Sequence, residues 1–310
     1  MIISASRRTD IPAFYSKWFM NRIREGYVLT QNPFNTNQVK KIILTPYHID
    51  AIIFWTRNPK SLIPYLDELH QKGFNYYFQY TITGYKRELE KATPHPFKAI
   101  ETFIELSEKI GKEKVIWRYD PIIYTKYTDF DEHIRLFEKI SKSLENKTEK
   151  VVISFADPYK KIQKNLDTLN YHDILENKNK LYELAKELSN ISKSRNMIIE
   201  TCSEAIDLDY CGIKHGKCID DDLIEKLFNI DLNIGKDKNQ RKECGCVQSV
   251  DIGMYNTCSH GCTYCYATYS ETTVQKNRLK HNPESPLLIG NFEDLNEEVR
   301  RKLNEVQTLF

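Results

Sequence analysis

The run Ala51-Ile52-Ile53-Phe54-Trp55 decides the fold class that the sequence predicts. Consecutive apolar side chains leave no polar face, and this pattern is typical of a parallel strand that is buried on both sides. Short apolar runs recur along the chain and predict strands of the same kind. They lie at residues 2–4, 76–82, 114–117, 151–155 and 197–200.

Segments with helical features separate these runs. Thr9 or Asp10 is the candidate N-cap, Pro12 suits a first helical turn and Gly26 can end the helix, so one helix is expected over residues 10–26. Further helices are predicted at residues 61–73, 96–111, 129–144 and 173–195, and residues 31–37 form a polar stretch. Strands alternating with helices indicate about six parallel βα units with right-handed crossovers. We therefore expect an α/β fold, a partial (βα)6-type barrel.

Composition sets bounds on the class of protein. A chain of 310 residues with 40% hydrophobic content can bury a sizeable core, so residues 1–243 are expected to form the barrel and residues 244–310 a cysteine-cluster segment and tail in the same domain. The chain has 45 Lys and Arg residues and 43 Asp and Glu residues. This near balance of charge gives no overall electrostatic attraction to a nucleic acid, a membrane or an acidic partner. The absence of an export signal or an apolar span of roughly 20 residues predicts a cytoplasmic protein with no membrane contact.

Polar residues follow the predicted strands, where a parallel βα barrel carries its active site. Any one of them also suits a salt bridge or a loop cap, but their repetition after successive strands favours a shared site. Asp157, Tyr159 and Lys160 follow the strand at 151–155. The candidate cofactor- and substrate-binding residues are Arg7, Arg8, Asp10, Arg57, Gln79, Arg118, Asp120 and Glu200.

Three thiols near the end of the chain are closely spaced. Cys258, Cys262 and Cys265 follow a Cys-x3-Cys-x2-Cys pattern. Three thiolates can hold three irons of a [4Fe-4S] cluster and leave the fourth iron open for another ligand. The alternative is a zinc site in which His260 completes the tetrahedron, although His260 lies inside the short loop between two of the thiols.

The sequence Cys-Ser-His-Gly-Cys-Thr-Tyr-Cys-Tyr-Ala at residues 258–267 resembles the radical S-adenosylmethionine (radical SAM) motif, in the form found among relatives of spore photoproduct lyase. The resemblance implies that Cys258, Cys262 and Cys265 hold a [4Fe-4S] cluster whose fourth iron is chelated by S-adenosylmethionine. It also implies reductive cleavage to a 5′-deoxyadenosyl radical, with electrons from a donor such as a flavodoxin or ferredoxin.

Five further cysteines belong to the last third of the chain. Cys202, Cys218, Cys244 and Cys246 are candidate ligands of an auxiliary iron–sulfur cluster, which leaves Cys211 spare. The alternative is a set of buried, inert thiols with at most a zinc ion among them. Spacing alone does not assign the ligands.

The whole chain resembles the bacterial DUF1848 family, whose function is unknown. The segments that carry the resemblance lie at residues 4–12, 54–59, 78–85, 117–122 and 285–290. In radical SAM enzymes the triad usually follows the first barrel strand, whereas here it comes after all six predicted βα units. The cysteine segment is therefore expected to fold back over the barrel mouth.

Three functions remain open at this point. The first is a radical SAM-type enzyme that acts on an unknown small-molecule or nucleic-acid substrate, with Arg7, Arg57 and Arg118 as anchors for carboxylate or phosphate groups. The second is a non-enzymatic zinc or iron–sulfur module with a structural or electron-transfer role. The third, a metal-dependent hydrolase using Asp10, Asp120 and Glu200, ranks last because the strand ends lack histidines.

Overall fold

A computed structural model describes residues 1–156 and 163–307. Its strands are β1 (Ile2–Ala5), β2 (Tyr27–Asn32), β3 (Asn35–Ile43), β4 (Ala51–Thr56), β5 (Tyr76–Thr81), β6 (Val115–Ile122), β7 (Lys150–Phe155), β8 (Ile198–Cys202), β9 (Lys214–Gly216) and β10 (Val250–Asp251). Eight of them form one sheet in the order β10-β1-β4-β5-β6-β7-β8-β9, and all of its pairings are parallel. Strands β2 and β3 pair separately as an antiparallel hairpin.

Helices connect and flank the strands. They are α1 (Ile11–Phe14), α2 (Ser16–Glu25), α3 (Leu66–Gln71), α4 (Pro96–Ile110), α5 (Phe130–Ser143), α6 (Gln163–Asp167), α7 (Lys178–Ser194), α8 (Asp221–Phe228), α9 (Glu271–Leu279) and α10 (Glu297–Gln307). The single helix expected at residues 10–26 is divided in two at Tyr15, whose φ of −133° is not helical. Of the two candidate N-caps, Asp10 is the one that caps α1, and Gly26 ends α2 with a φ of 76°, a conformation that glycine adopts without strain.

The predicted α/β class with a mainly parallel sheet is confirmed, and the sheet is open among the described residues. In the described residues β10 and β9 are the two edges of the sheet and no pairing joins them. All six predicted strands are present in the large sheet, and the two strands of this sheet that were not predicted, β9 and β10, are only three and two residues long. Strand β3 falls partly on the stretch expected to be merely polar. Most side chains of β3 are exposed on both faces. Its sequence therefore lacks the alternation of apolar and polar residues that predicts a strand.

The core occupies both faces of the sheet. Ile52 and Phe54 in β4 pack into the larger cluster, whereas Ile53 between them packs into the smaller cluster on the opposite face. All three are fully buried. Alternate side chains of a strand point to opposite faces, so a strand buried on both sides requires the uninterrupted apolar run seen in the sequence.

The cysteine-rich segment near the end of the chain contributes to the sheet. Strand β10 pairs with β1, with Ile3 opposite Val250 and Ser4 opposite Asp251. Residues 250–251 therefore reach the sheet beside its first strand, and the loop that follows them begins at the carboxyl end of β1.

Two further predictions concern membrane contact and the residues that follow β7. Within residues 1–156 and 163–307, no helix is long and apolar enough to cross a membrane. Asp157, Tyr159 and Lys160, which were expected to follow β7, lie outside the described residues.

His133 in α5 makes stability depend on pH. Its ring is fully buried, accepts a hydrogen bond from the Tyr119 hydroxyl at 2.9 Å and donates one to the Ile123 carbonyl at 3.2 Å. Burial lowers its pKa from 6.5 to about 4, so the folded state favours the neutral ring. The resulting stabilisation is complete above pH 6.5 and is lost as the pH falls towards 4.

We expect the wild type to lose about 2 kcal/mol more unfolding free energy than His133→Gln between pH 7.5 and pH 5. Urea unfolding of both proteins at the two pH values measures the difference. Equal pH dependence in the two proteins would contradict the assignment of this effect to His133.

Candidate functional site

A cavity of about 440 Å³ lies at the carboxyl ends of the sheet strands. Residues that follow β1, β4 and β8 line it, and so do Cys258, Cys262 and Cys265 of the C-terminal segment. Every cysteine of the chain except Cys211 contributes to its wall. The late thiol triad and the strand ends therefore share one space.

Most of the predicted binding residues reach this cavity. The six that line it are Arg7, Arg8, Asp10, Arg57, Arg118 and Asp120. Gln79 is buried beside it, where it donates to the Cys218 carbonyl at 3.0 Å and accepts from Arg118 at 3.2 Å. Glu200 does not line the cavity, and its carboxylate is paired with Lys150 Nζ at 2.9 Å.

Asp10 connects the first strand end to the triad loop. Its Oδ1 accepts from the Ala13 amide at 2.9 Å and the Thr56 hydroxyl at 2.8 Å. Its Oδ2 accepts from the Arg57 amide and from His260 Nε2, both at 2.7 Å. Four donors occupy the carboxylate, so Asp10 positions the loop and has little capacity left for a ligand.

His260 is committed to this contact. Its ring is 3% exposed and packs on Phe14 with ring centroids 4.7 Å apart. Of the two nitrogens of this ring, Nδ1 is the one without a hydrogen-bond partner among the described residues. If a zinc ion used His260, it would have to bind through this buried nitrogen.

Glu90 is a site residue that the sequence did not indicate. Its carboxylate, 4% exposed, accepts from Arg57 Nη1 at 2.7 Å, from the Thr83 hydroxyl at 2.5 Å and from the Tyr264 hydroxyl. Arg57 Nη2 also donates to the Tyr264 oxygen at 2.7 Å. Glu90 lies in a loop outside any motif or predicted strand end, so no local signal marks it.

The same loop holds the triad segment through its backbone. The Thr263 amide donates to the Leu89 carbonyl, and the Ala92 amide donates to the His260 carbonyl, both at 2.9 Å. Gly261 has a φ of +66°, a conformation that side chains rarely adopt. A Cβ at this position would also lie 3.3 Å from the Lys91 Cβ, so both the turn and the close approach account for glycine here.

The triad thiols are half-buried at the cavity wall. Burial raises the pKa of Cys262 to about 12, although the nearby Arg57 guanidinium opposes the shift. Burial, and then the charge of Asp10, raise the pKa of Cys258. Thiols of this kind lose their protons when a metal ion binds and compensates the charge.

The spread of the thiols bears on what they can bind. Within the part of the chain that the structure describes, just one group of His, Cys, Asp or Glu residues has three ligand atoms within 4.8 Å of one another. It consists of Asp220, Asp221 and Asp222, so the three triad sulfur atoms are not this close together. Ligands of a tetrahedral zinc at about 2.3 Å would be roughly 3.8 Å apart. The triad is thus more open than a closed zinc site, as expected for thiolates that bind different irons.

The geometry does not favour the metal-dependent hydrolase, which ranked last of the three functions. Asp10 is occupied by four donors, and Glu200 lies outside the cavity. Asp120 accepts from Arg118 Nε at 2.9 Å and from the Ser154 hydroxyl. The three carboxylates therefore do not converge on one ion.

Two arginines and a tryptophan form another wall. The guanidinium groups of Arg7 and Arg118 lie 6.0 Å and 5.0 Å from the Trp55 ring centroid. Asp251 in β10, which was not predicted, accepts from the Ser6 hydroxyl at 2.7 Å and from the Arg7 amide at 2.8 Å. Arg7 Nη2 donates to the Ser249 hydroxyl at 3.2 Å.

The four predicted auxiliary cysteines come together at this wall. Cys202 and Cys218 have their sulfur atoms 2.8 Å apart, and hydrogen bonds from the thiols of Cys218 and Cys244 lower the pKa of Cys246. Cys211 lies apart, with its thiol donating to the Tyr182 carbonyl at 3.7 Å. Their role as ligands stays a prediction.

Residues 2–267 match a family profile described as a domain of unknown function, DUF1848. The chain belongs to the DUF1848 family. The resemblance stated from the sequence is thus confirmed, and the DUF1848 description assigns no activity. No curated protein matches this DUF1848 chain.

Solved structures resemble the DUF1848 chain only weakly. A Bacteroides thetaiotaomicron protein provisionally assigned as an alpha-L-fucosidase is 11% identical, with 54% of this chain and 68% of that chain covered and a TM-score of 0.26. A Caenorhabditis elegans protein provisionally assigned as the carbonyl reductase Sniffer is 10% identical, with 64% and 83% covered and a TM-score of 0.25. The GH20 modules of the pneumococcal exo-beta-D-N-acetylglucosaminidase StrH are 11% identical, with 100% and 89% covered and a TM-score of 0.32. None of these likenesses supports a function.

Proposed function

We propose that this DUF1848 protein is a radical SAM-type iron–sulfur enzyme that acts on an unknown small-molecule or nucleic-acid substrate. The observation that supports the proposal is that Cys258, Cys262 and Cys265 line the same cavity as the carboxyl ends of the strands. A triad on the outer surface, or at the opposite end of the sheet, would have had no access to a substrate held there. The expected topology is a partial (βα)6-type barrel whose mouth is covered by the cysteine segment.

In this proposal Cys258, Cys262 and Cys265 would hold three irons of a [4Fe-4S] cluster and leave the fourth iron for S-adenosylmethionine. Such a cluster would pass one electron to S-adenosylmethionine for its reductive cleavage to methionine and a 5′-deoxyadenosyl radical. A flavodoxin- or ferredoxin-class protein would supply that electron. The fit rests on the donor set, which consists of thiols on one short loop whose sulfur atoms do not converge as for a single zinc ion.

The other residues of the cavity position and shield this loop. Asp10 fixes His260 between two of the thiols, and the Arg57–Glu90 pair, which is largely buried, closes one side against water. Arg57 is therefore a positioning residue, because its guanidinium is already bound to Glu90 and Tyr264. Arg118 is likewise paired with Asp120, so Arg7 remains the candidate anchor for carboxylate or phosphate groups among the three arginines predicted for that role.

Anaerobic purification followed by incubation with S-adenosylmethionine and dithionite tests the proposal. We expect a brown protein that absorbs near roughly 400 nm and releases 5′-deoxyadenosine. The triple variant C258A/C262A/C265A should release none, whereas C211A, which alters a cysteine outside the cavity, should match the wild type. A colourless wild type with one equivalent of zinc would contradict the proposal.

The alternative is a non-enzymatic iron–sulfur or zinc module with a structural or electron-transfer role. The second group of thiols beside the cavity favours electron transfer over a purely structural site. A brown wild type that exchanges electrons with a reduced ferredoxin but releases no 5′-deoxyadenosine would support this alternative.

A further inference from the structure

We propose that Cys202, Cys218, Cys244 and Cys246, here called the four-thiol group, bind a second iron–sulfur cluster through four thiolates. The group lines the same cavity as the triad, and the proposal requires neither S-adenosylmethionine nor the triad. It therefore goes beyond the proposed function and can stand if that function fails.

The four-thiol group is assembled from three separate parts of the chain. Cys202 ends β8, Cys218 follows β9, and Cys244 and Cys246 precede β10. The Cys218 carbonyl accepts from the Tyr77 hydroxyl at 2.7 Å and the Gln79 amide at 3.0 Å, which holds this loop against the sheet. The thiols thus meet because hydrogen bonds fix the backbone that carries them.

The backbone around Cys246 is also fixed. Its carbonyl accepts from the Asp237 amide at 2.9 Å, and the Val247 amide donates to the Ile219 carbonyl at 3.2 Å. Cys218, Cys244 and Cys246 are each less than 5% exposed, and Cys202 is half-buried. A preformed, shielded pocket of thiols limits the entropy that ligands lose when a metal binds.

The surroundings of the sulfur atoms suit thiolates. Arg118 Nη1 donates to Cys218 Sγ at 2.9 Å, and the Ile219 amide donates to Cys246 Sγ at 3.4 Å. Guanidinium and peptide donors stabilise thiolate charge and are among the groups that tune a cluster. The Arg7 guanidinium lies 6.0 Å from the centroid of the Trp55 ring, over which the Arg118 guanidinium also lies. Two guanidinium groups would offset the net charge of about −2 on a [4Fe-4S]²⁺ core with four thiolates.

The dimensions of the group favour a cluster over one zinc ion. In the described part of the chain, no three sulfur atoms of the four-thiol group all lie within 4.8 Å of one another. Four sulfur ligands of one zinc at about 2.3 Å would all be roughly 3.8 Å apart. The 2.8 Å between the sulfur atoms of Cys202 and Cys218 is shorter than zinc or a cluster requires, so this pair does not distinguish the two and would move apart when either bound. The remaining thiols extend the group beyond the span of one ion.

A second cluster here would place another one-electron centre at the cavity wall. It would exchange a single electron with a flavodoxin- or ferredoxin-class protein, being reduced by one electron as that protein is oxidised by one. Because both thiol groups line one cavity, an electron could pass from this wall towards the ligand-binding space.

Iron counting on full-length protein tests the inference. After anaerobic reconstitution with ferrous iron and sulfide, we expect about eight irons per wild-type chain and about four in C258A/C262A/C265A. The triad variant should also give an electron paramagnetic resonance signal of a reduced cluster after dithionite. C202S/C246S should lose about half of the wild-type iron, and the matched control C211S should lose none.

Several results would overturn the inference. They are a triad variant without iron, one zinc ion in place of iron and sulfide, or a Cys202–Cys218 disulfide found by thiol counting and mass. Circular dichroism establishes whether C202S/C246S is folded. If it is not, the iron content of the triad variant decides the question, because that variant leaves the four-thiol group unchanged.

The outcomes for the two proposals are distinguishable. A triad variant that keeps about four irons, with a wild type that makes no 5′-deoxyadenosine, supports the second cluster and contradicts the proposed function. A wild type that holds about four irons and makes 5′-deoxyadenosine, together with an iron-free triad variant, supports the proposed function and contradicts the second cluster.

Discussion

Asp10→Ala should lower the unfolding free energy by about 3 to 5 kcal/mol, because it leaves several buried donors without an acceptor. The carboxylate accepts from two backbone amides, from the Thr56 hydroxyl and from His260 Nε2. It is 4% exposed, so water does not replace these bonds without rearrangement. Urea unfolding of chelator-treated protein measures the loss and keeps the metal content of both proteins equal.

Asp10→Asn and Glu68→Gln are the matched variants for this experiment. The asparagine keeps the shape but turns an NH₂ towards one of the donors, so its loss should be smaller than that of alanine. Glu68 pairs with Arg24 at 2.6 Å on the surface, and its substitution should cost no more than about 1 kcal/mol. An Asp10→Ala protein as stable as Glu68→Gln would contradict the role assigned to Asp10.

Glu90→Leu should also lower the unfolding free energy by about 3 to 5 kcal/mol, since the Arg57 guanidinium would remain buried without its partner. The two charges are 2.7 Å apart, with side chains 14% and 4% exposed. The same substitution removes the acceptor of the Thr83 and Tyr264 hydroxyls. Urea unfolding at neutral pH provides the measurement.

The double variant R57M/E90L separates an ion-pair effect from a packing effect. Two apolar side chains leave no uncompensated charge, so the double variant should be more stable than Glu90→Leu alone. A double variant that is less stable than the single one would show that packing, and not the unpaired charge, dominates. Glu90→Gln, which retains an acceptor oxygen, should lie between the wild type and Glu90→Leu.

Local patterns were sufficient for the strands that form the centre of the sheet. The run at residues 51–55 predicted a strand with two buried faces, and Ile52 and Ile53 pack into clusters on opposite sides. Hydrophobic pattern works there because burial on each face demands an apolar side chain at every position. The hydrophobic pattern did not predict β10, because two residues are too few to show a pattern.

Motif spacing likewise singled out the triad, because its three thiols lie close together in the sequence, on one short loop. Glu90 had no comparable signal, since its partners Arg57 and Tyr264 lie 33 and 174 residues away in sequence. The same holds for Asp251, which binds the backbone of Arg7 from 244 residues away.

The sequence by itself determined an α/β fold with parallel strands, polar strand ends and a spaced cysteine triad, because these features follow from periodicity and local spacing. Only the tertiary structure decided that the triad and strand ends share a cavity, that Glu200 lies outside it, and that the four-thiol group assembles at its wall. Those relations depend on strand order and on contacts such as Asp10 with His260, 250 residues apart. No local pattern encodes such distances, since they arise only when the β10 segment pairs with β1.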